Sequence, residues 1–122
     1  MKFLSSSAQI QSRTADDKAY GIFGAADFVV SSTRDTKTNI EPTVYGLDTI
    51  LNTPVYDYKL KYEVETFGEE NARTKTGLIW EEAPENLRGE GTLDLYSMVG
   101  IAWRAIQELA KEVNNIKASL GM

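Results

Sequence analysis

The chain of 122 residues contains no histidine and no cysteine. Without cysteine there are no disulfides, no thiol nucleophile and no thiolate metal site. Without histidine the commonest catalytic base and metal ligand is gone. A carboxylate-only cation site would need clustered acids, and no Asp-x-Asp-x-Asp-Gly loop occurs, so neither metal nor cofactor is expected. Basic residues are scarce and scattered: thirteen Lys and Arg stand against eighteen Asp and Glu, a net charge of −5, which argues against a nucleic-acid partner. No apolar run approaches the roughly 18–20 residues of a membrane span, so no membrane partner is expected. The opening Met1-Lys2-Phe3-Leu4 passes directly into Ser5-Ser6-Ser7, which predicts no signal peptide. What is present is ordinary for a globular chain, 42% apolar and 25% charged residues, enough for one modest domain with one core.

These absences narrow the chemistry. A serine hydroxyl is a poor nucleophile until a base takes its proton. The bases left are lysine, carboxylates and an N-terminal amine. A lysine in water is protonated; buried among apolar groups, its pKa falls toward the range of about 7–8 in which it can accept a proton. The segment Ser32-Thr33-Arg34-Asp35-Thr36-Lys37-Thr38-Asn39-Ile40 sets a serine five residues ahead of a lysine. Alone the spacing says little, since chance gives roughly one such pair in a chain of this size.

The chain reads in three parts. Residues 1–31 begin polar and serine-rich, then turn apolar from Tyr20 through Phe23, Phe28, Val29 and Val30, a pattern of one or two short strands. They carry too little apolar material for a core of their own and are expected to pair with neighbouring copies or with the body. Residues 32–92 form a mixed body. Leu47, Ile50 and Leu51 mark one face of a short helix that stops near Asn52-Thr53-Pro54. Val55 to Val64 alternates at period two and predicts a half-buried strand, Phe67 to Asn71 a turn, and Thr74 to Trp80 a return strand, making residues 55–80 a β-hairpin. On that reading Tyr56, Tyr58 and Tyr62 share a hairpin face. Glu81 to Gly91 is an acidic loop, with Pro84 placed against a long helix.

Residues 93–120 carry the clearest period. Val99, Ile106, Val113 and Leu120 fall at heptad position a; Leu95, Ala102, Leu109 and Ile116 fall at d. Glu112 at g and Lys117 at the following e can pair between neighbouring helices, and Gly121 supplies the stop. An unbroken 3.5-residue repeat favours self-association over a single amphipathic helix packed on its own domain. Met98, Trp103, Ala105 and Ala110 widen the apolar face, and the a and d residues do not fix the number of strands. The fold class expected is α+β: a small mixed body with a β-hairpin and a long C-terminal coiled-coil helix.

The order of these pieces resembles the C-terminal intramolecular chaperone domain of phage endosialidases, tail spikes and neck appendages. That family opens with a serine and a basic stretch ending in Lys-Thr-Asn-Ile, here Ser32 to Lys37-Thr38-Asn39-Ile40. A short helix and a Pro-Val-x-x-Tyr-type strand follow, matched by Leu47 to Leu51 and Pro54-Val55-Tyr56-Asp57-Tyr58. A Gly-Phe-Ile-Ala-Gln-Glu-like box is matched loosely by Gly77-Leu78-Ile79-Trp80-Glu81-Glu82. The closing Ala-Ile-x-Glu-Leu helix is Ala105-Ile106-Gln107-Glu108-Leu109. The resemblance covers residues 32–120 and is nearest to the neck-appendage or tail-spike version.

The resemblance implies a homotrimer whose folding client is its own upstream β-rich fibre. It implies that residues 1–31 are the stump of that fibre within a longer protein, and residues 32–122 the chaperone. It implies Ser32 as nucleophile and Lys37 as base of a single-turnover autoprotease, acting in the host cytoplasm during virion assembly. Ring size favours scission of Ser31–Ser32 in cis, because attack on the Ser31 carbonyl closes a five-membered ring; another local fold, or attack across the trimer, moves the cut to Ser32–Thr33. Glu82 falls where the family box carries a glutamate, which would orient Lys37 or a backbone element. Two departures stand out: Thr33 replaces the family's acidic residue, and Asp35-Thr36 replaces its basic-Leu pair, which sets a carboxylate near the lysine that must lose its charge. The competing reading is a non-catalytic trimerisation cap. A peptidase acting on other proteins finds no support, since nothing in the sequence suggests a substrate cleft.

Overall fold

The computed structural model describes residues 11–17 and 20–122, so the reading of the serine-rich opening over residues 1–10 lies outside the described residues. The chain divides into two compact units, Met1–Thr36 and Lys37–Met122.

The first unit carries a tight turn. Arg13 and Tyr20 form an isolated antiparallel bridge. Next to it the Gly21 N–H donates to the Ser12 carbonyl at 2.7 Å and the Ser12 hydroxyl to the Ile22 carbonyl at 3.0 Å. The Arg13 guanidinium pairs with Asp17 at 3.0 Å and covers the Tyr20 ring at 4.7 Å. Beyond this turn, residues 22–31 form no strand, which corrects the strand expectation for Tyr20 to Val30. β-Branched and aromatic residues favour a strand only where a second strand accepts their ladder. Phe23 and Phe28 instead pack on each other at 6.2 Å, and Phe28, Val29 and Val30 remain exposed.

In the second unit helix α1 (Leu47–Leu51) forms where the apolar spacing predicts it. Thr49 Oγ1 accepts the Gly46 N–H at 3.0 Å, satisfying a donor at the helix start. At its end Asn52 Nδ2 donates to the Asp48 carbonyl at 2.8 Å and Thr53 Oγ1 to the Thr49 carbonyl at 2.7 Å, and Pro54 then excludes continuation. Gly46 is buried against the long helix. A Cβ there would collide with the Glu108 carboxylate and stand 3.2 Å from Arg104 Cγ. Gly46→Ala is therefore expected to push α1 outward and cost about 1–3 kcal/mol. The urea midpoint should fall at constant m-value; an unchanged midpoint would mean that Arg104 and Glu108 simply swing aside.

Strands β1 (Tyr56–Tyr58) and β2 (Lys75–Gly77) pair antiparallel in the register Tyr56↔Gly77, Asp57↔Thr76, Tyr58↔Lys75. Thr76 Oγ1 donates across the ladder to Asp57 at 2.5 Å. The predicted hairpin thus exists, but its strands are short and a helix separates them. Helix α2 (Lys61–Phe67) occupies what reads as the second half of a strand, and it moves Tyr62 off the sheet. Leu60 and Val64 satisfy the i, i+4 helical spacing as well as the period-two pattern, and Lys61, Glu63 and Glu65 are good helix formers. Gly68, at φ +86°, ends the helix in a conformation that L side chains avoid.

The acidic segment after β2 is more ordered than a loop. Two 3₁₀ turns, Trp80–Glu82 and Glu85–Leu87, wrap it onto the body. Trp80 Nε1 donates to the Gly89 carbonyl at 3.0 Å, and the Arg88 guanidinium lies 5.1 Å from its ring. Helix α3 (Leu95–Ser119) follows, capped by Asp94, whose carboxylate accepts from the Ser97 N–H at 3.1 Å and the Ser97 hydroxyl at 3.0 Å. The buried apolar residues of the unit are Ala72, Ala83, Leu87, Ile101 and Ala105. That is a thin core for 86 residues, and it is centred where α1 and the Glu85–Leu87 turn meet α3.

Candidate functional site

Three places in the fold are candidates for chemistry or recognition. The first is the segment around Ser32. Residues 33–36 close on themselves: the Thr36 N–H and hydroxyl both donate to the Thr33 carbonyl, at 3.3 and 2.8 Å. Thr33 Oγ1 donates to Asp35 at 2.5 Å. Arg34–Thr36 is thereby wound into a 3₁₀ turn. The Asp35 carboxylate, which the sequence sets near Lys37, is held by Thr33. Ser31, Ser32 and Thr33 are exposed at the end of the first unit, and Lys37 is exposed at the start of the second.

Glu82, considered as a support for Lys37, lies in the Trp80–Glu82 turn and accepts the Tyr56 hydroxyl proton at 2.9 Å. That bond, aided by lost solvent and by the carboxylate's charge, raises the Tyr56 pKa above its ordinary value. The pair ties the family-like box to β1.

The second place was not legible in the sequence. Glu63 on α2 is almost wholly buried, at 3% exposure. Arg73 grips one of its oxygens with two donors, Nε at 2.8 Å and Nη2 at 2.6 Å. Its Oε2 is buried without a hydrogen bond among the described residues. The Arg73 hydrogen bonds hold the Glu63 carboxyl below its ordinary 4.5, outweighing the burial that raises it, with the positive charge of Arg73 and Lys75 adding to the lowering. The folded chain therefore binds fewer protons here than the unfolded chain in mild acid. This contribution to stability is present above about pH 4.5 and is lost as pH falls through the depressed value. Urea midpoints measured down a pH series should drop in that window. Glu63→Gln should flatten the drop; an equally steep fall in that variant would assign the effect to other carboxylates.

The third place is α3. The body grips it by Met98, Ile101, Ala105 and Glu108, at heptad positions g and c; Ile101 and Ala105 are its buried residues. At 100° per residue this stripe lies about 90° around the helix from the a/d seam. The seam is left open. Leu95, Val99, Ile106, Leu109, Val113, Ile116 and Leu120 are all exposed, Leu95 at 72% and Ile106 at 66%, and Ala102 is half-buried. From Leu109 to Leu120 every residue is exposed on every side. Among the described residues nothing covers these aligned apolar side chains, and open apolar patches of this kind are a general signature of contact surfaces.

Among known families, the one described as the chaperone of endosialidase matches residues 32–92, half of the chain, starting at Ser32 and ending before α3. No curated protein and no solved structure matches the chain. The match runs continuously through the Ser32 segment, α1, both strands and the Trp80–Glu82 turn, and on that ground the chain belongs to the chaperone-of-endosialidase family, as an intramolecular chaperone domain.

Proposed function

We propose that this domain trimerises an upstream β-rich phage fibre or appendage through α3, sets its three chains in register, and then releases itself beside Ser32. The observation that carries the reading is the open seam: the body holds α3 by one face and leaves an unbroken apolar heptad face for other copies. Intertwined β-strands fold slowly, because loop-closure entropy is spent before the contacts form. Clamping three chains at one end raises their mutual effective concentration. Scission afterwards leaves the fibre unable to refold with its clamp, so the product is kinetically trapped. Residues 1–31 are then the end of the client and residues 32–122 the clamp. The process belongs in the host cytoplasm during virion assembly.

In the release step the neutral Lys37 amine takes the proton of Ser32 Oγ. The alkoxide attacks the Ser31 carbonyl carbon and the Ser31–Ser32 C–N bond breaks. The proton passes to the departing Ser32 amine. Water then hydrolyses the Ser31 ester, giving a Ser31 carboxylate and restoring the Ser32 hydroxyl. Attack across the trimer, with scission at Ser32–Thr33, is the variant of the same chemistry. Lys37 is exposed in the single chain, and a lysine acts as a base only when desolvated enough to give up its proton. Assembly supplies that desolvation, which couples the cut to trimer formation.

The exposure of Lys37 equally suits a second reading, a clamp that never cuts. Expression of the chain behind its fibre separates the two. Self-release gives a fragment whose N-terminus is Ser32, or Thr33 for the alternative bond, as read by intact mass and N-terminal sequencing. A trimer that stays full length over days leaves the clamp alone.

A further inference from the structure

The body contains an apolar cavity of about 230 Å³ walled by Ile50, Val55, Leu78, Leu87, Met98 and Ile101. Ile50 and Val55, at 46% and 64% exposure, stand at its open side. On α3, Trp103 is 67% exposed and makes no hydrogen bond or ring contact among the described residues. An indole this open is unusual away from a binding surface, since it offers about 150–250 Å² to bury.

The heptad register connects the two. With Val99 and Ile106 at a, Met98 is a g residue and Trp103 is an e residue. In a parallel coiled coil each g residue faces the e residue five positions on in the neighbouring helix. Met98 of one copy therefore faces Trp103 of the next, as Ala105 faces Ala110 and Glu112 faces Lys117. The body flanks the helix at Met98 and again at Ala105, which it buries, but of the three g residues only Met98 is a wall of the cavity. Ala105 and Ala110 leave the next layer small.

We propose that the cavity is the socket for Trp103 of the neighbouring copy, so that each body in the trimer is completed by the next chain's indole. The proposal rests on the trimer reading above. It adds that assembly is set by the bodies as well as by the seam, and that the socket locks the rotational register of the clamp. A parallel arrangement follows necessarily, because an antiparallel pair would carry Trp103 away from Met98.

The test uses the full chain with Trp80→Phe, leaving Trp103 as the single indole. On assembly, followed by sedimentation, its emission should move to shorter wavelength and its quenching by acrylamide should fall. Trp103→Ala should weaken trimerisation at least about 30-fold, the loss expected for a buried aromatic anchor. Val55→Glu, a change at an already exposed position, should weaken it comparably. The double variant should be little worse than either alone, since both remove one contact. A wild-type chain that sediments as a monomer would overturn this inference together with the trimer reading. A trimer in which Trp103 stays quenchable, or in which the two substitutions add fully, would overturn the socket alone.

Discussion

Ile106→Asp combined with Leu109→Asp should turn the assembled chain into a monomer while leaving the body folded. Both side chains are largely exposed in the single chain, at 66% and 49%, so their replacement removes little intrachain packing. In the assembly they occupy neighbouring a and d layers, where apolar burial is worth about 1.5–3 kcal/mol per side chain. Three chains contribute six such side chains, on the order of 10 kcal/mol of association free energy, before the cost of placing carboxylates in the seam is added. No micromolar trimer survives a loss of that size. Sedimentation equilibrium reads the mass directly. Circular dichroism should show a partial loss of helix, because every residue from Leu109 to Leu120 is exposed and isolated short helices are marginal in water. The environment of Trp80, fixed by Gly89 and Arg88, should not change. A double variant that still sediments as a trimer would place the interface elsewhere.

On the proposed release chemistry Ser32→Ala should abolish scission before residue 32, since the Ser32 hydroxyl is the attacking oxygen there. Lys37→Met, which keeps the apolar stem and removes the amine, should slow it by about 10²–10⁴-fold, the usual contribution of a positioned base. Lys37→Arg should fail as badly, because a guanidinium does not give up its proton. All three variants should still trimerise, since neither position belongs to the seam. Mass spectrometry of the product over time separates these outcomes. Cleavage at the wild-type rate in Lys37→Arg would remove the lysine from the mechanism and leave Ser32 in need of another base.

How much of this was legible beforehand depended on whether a signal is local. Helices α1 and α3 were readable because their apolar residues repeat at helical spacing and their ends carry Pro54 and Gly121. The β1–β2 pairing was readable from period two at Tyr56 and Tyr58. Helix α2 was not, since Leu60 and Val64 fit both periods and the choice is made by a distant partner. Glu63 gains its place only when Arg73 meets it ten residues later, and no periodicity announces such a pair. Residues 22–30 have the composition of strands without a partner strand, so composition alone pointed the wrong way. The heptad was visible, but not which face the body would take. The grip by Ile101 and Ala105, which frees the seam, is a tertiary fact.

The central claim is an order of events: three chains assemble, and assembly licenses the cut. The most direct measurement is a time course on newly made full-length protein carrying its upstream fibre, with parallel samples cross-linked and run under denaturing conditions. The account predicts that uncut trimer accumulates before any fragment beginning at Ser32 appears, and that the chain with Ile106→Asp and Leu109→Asp stays both monomeric and uncut. Fragment released at the wild-type rate from that monomer would contradict it.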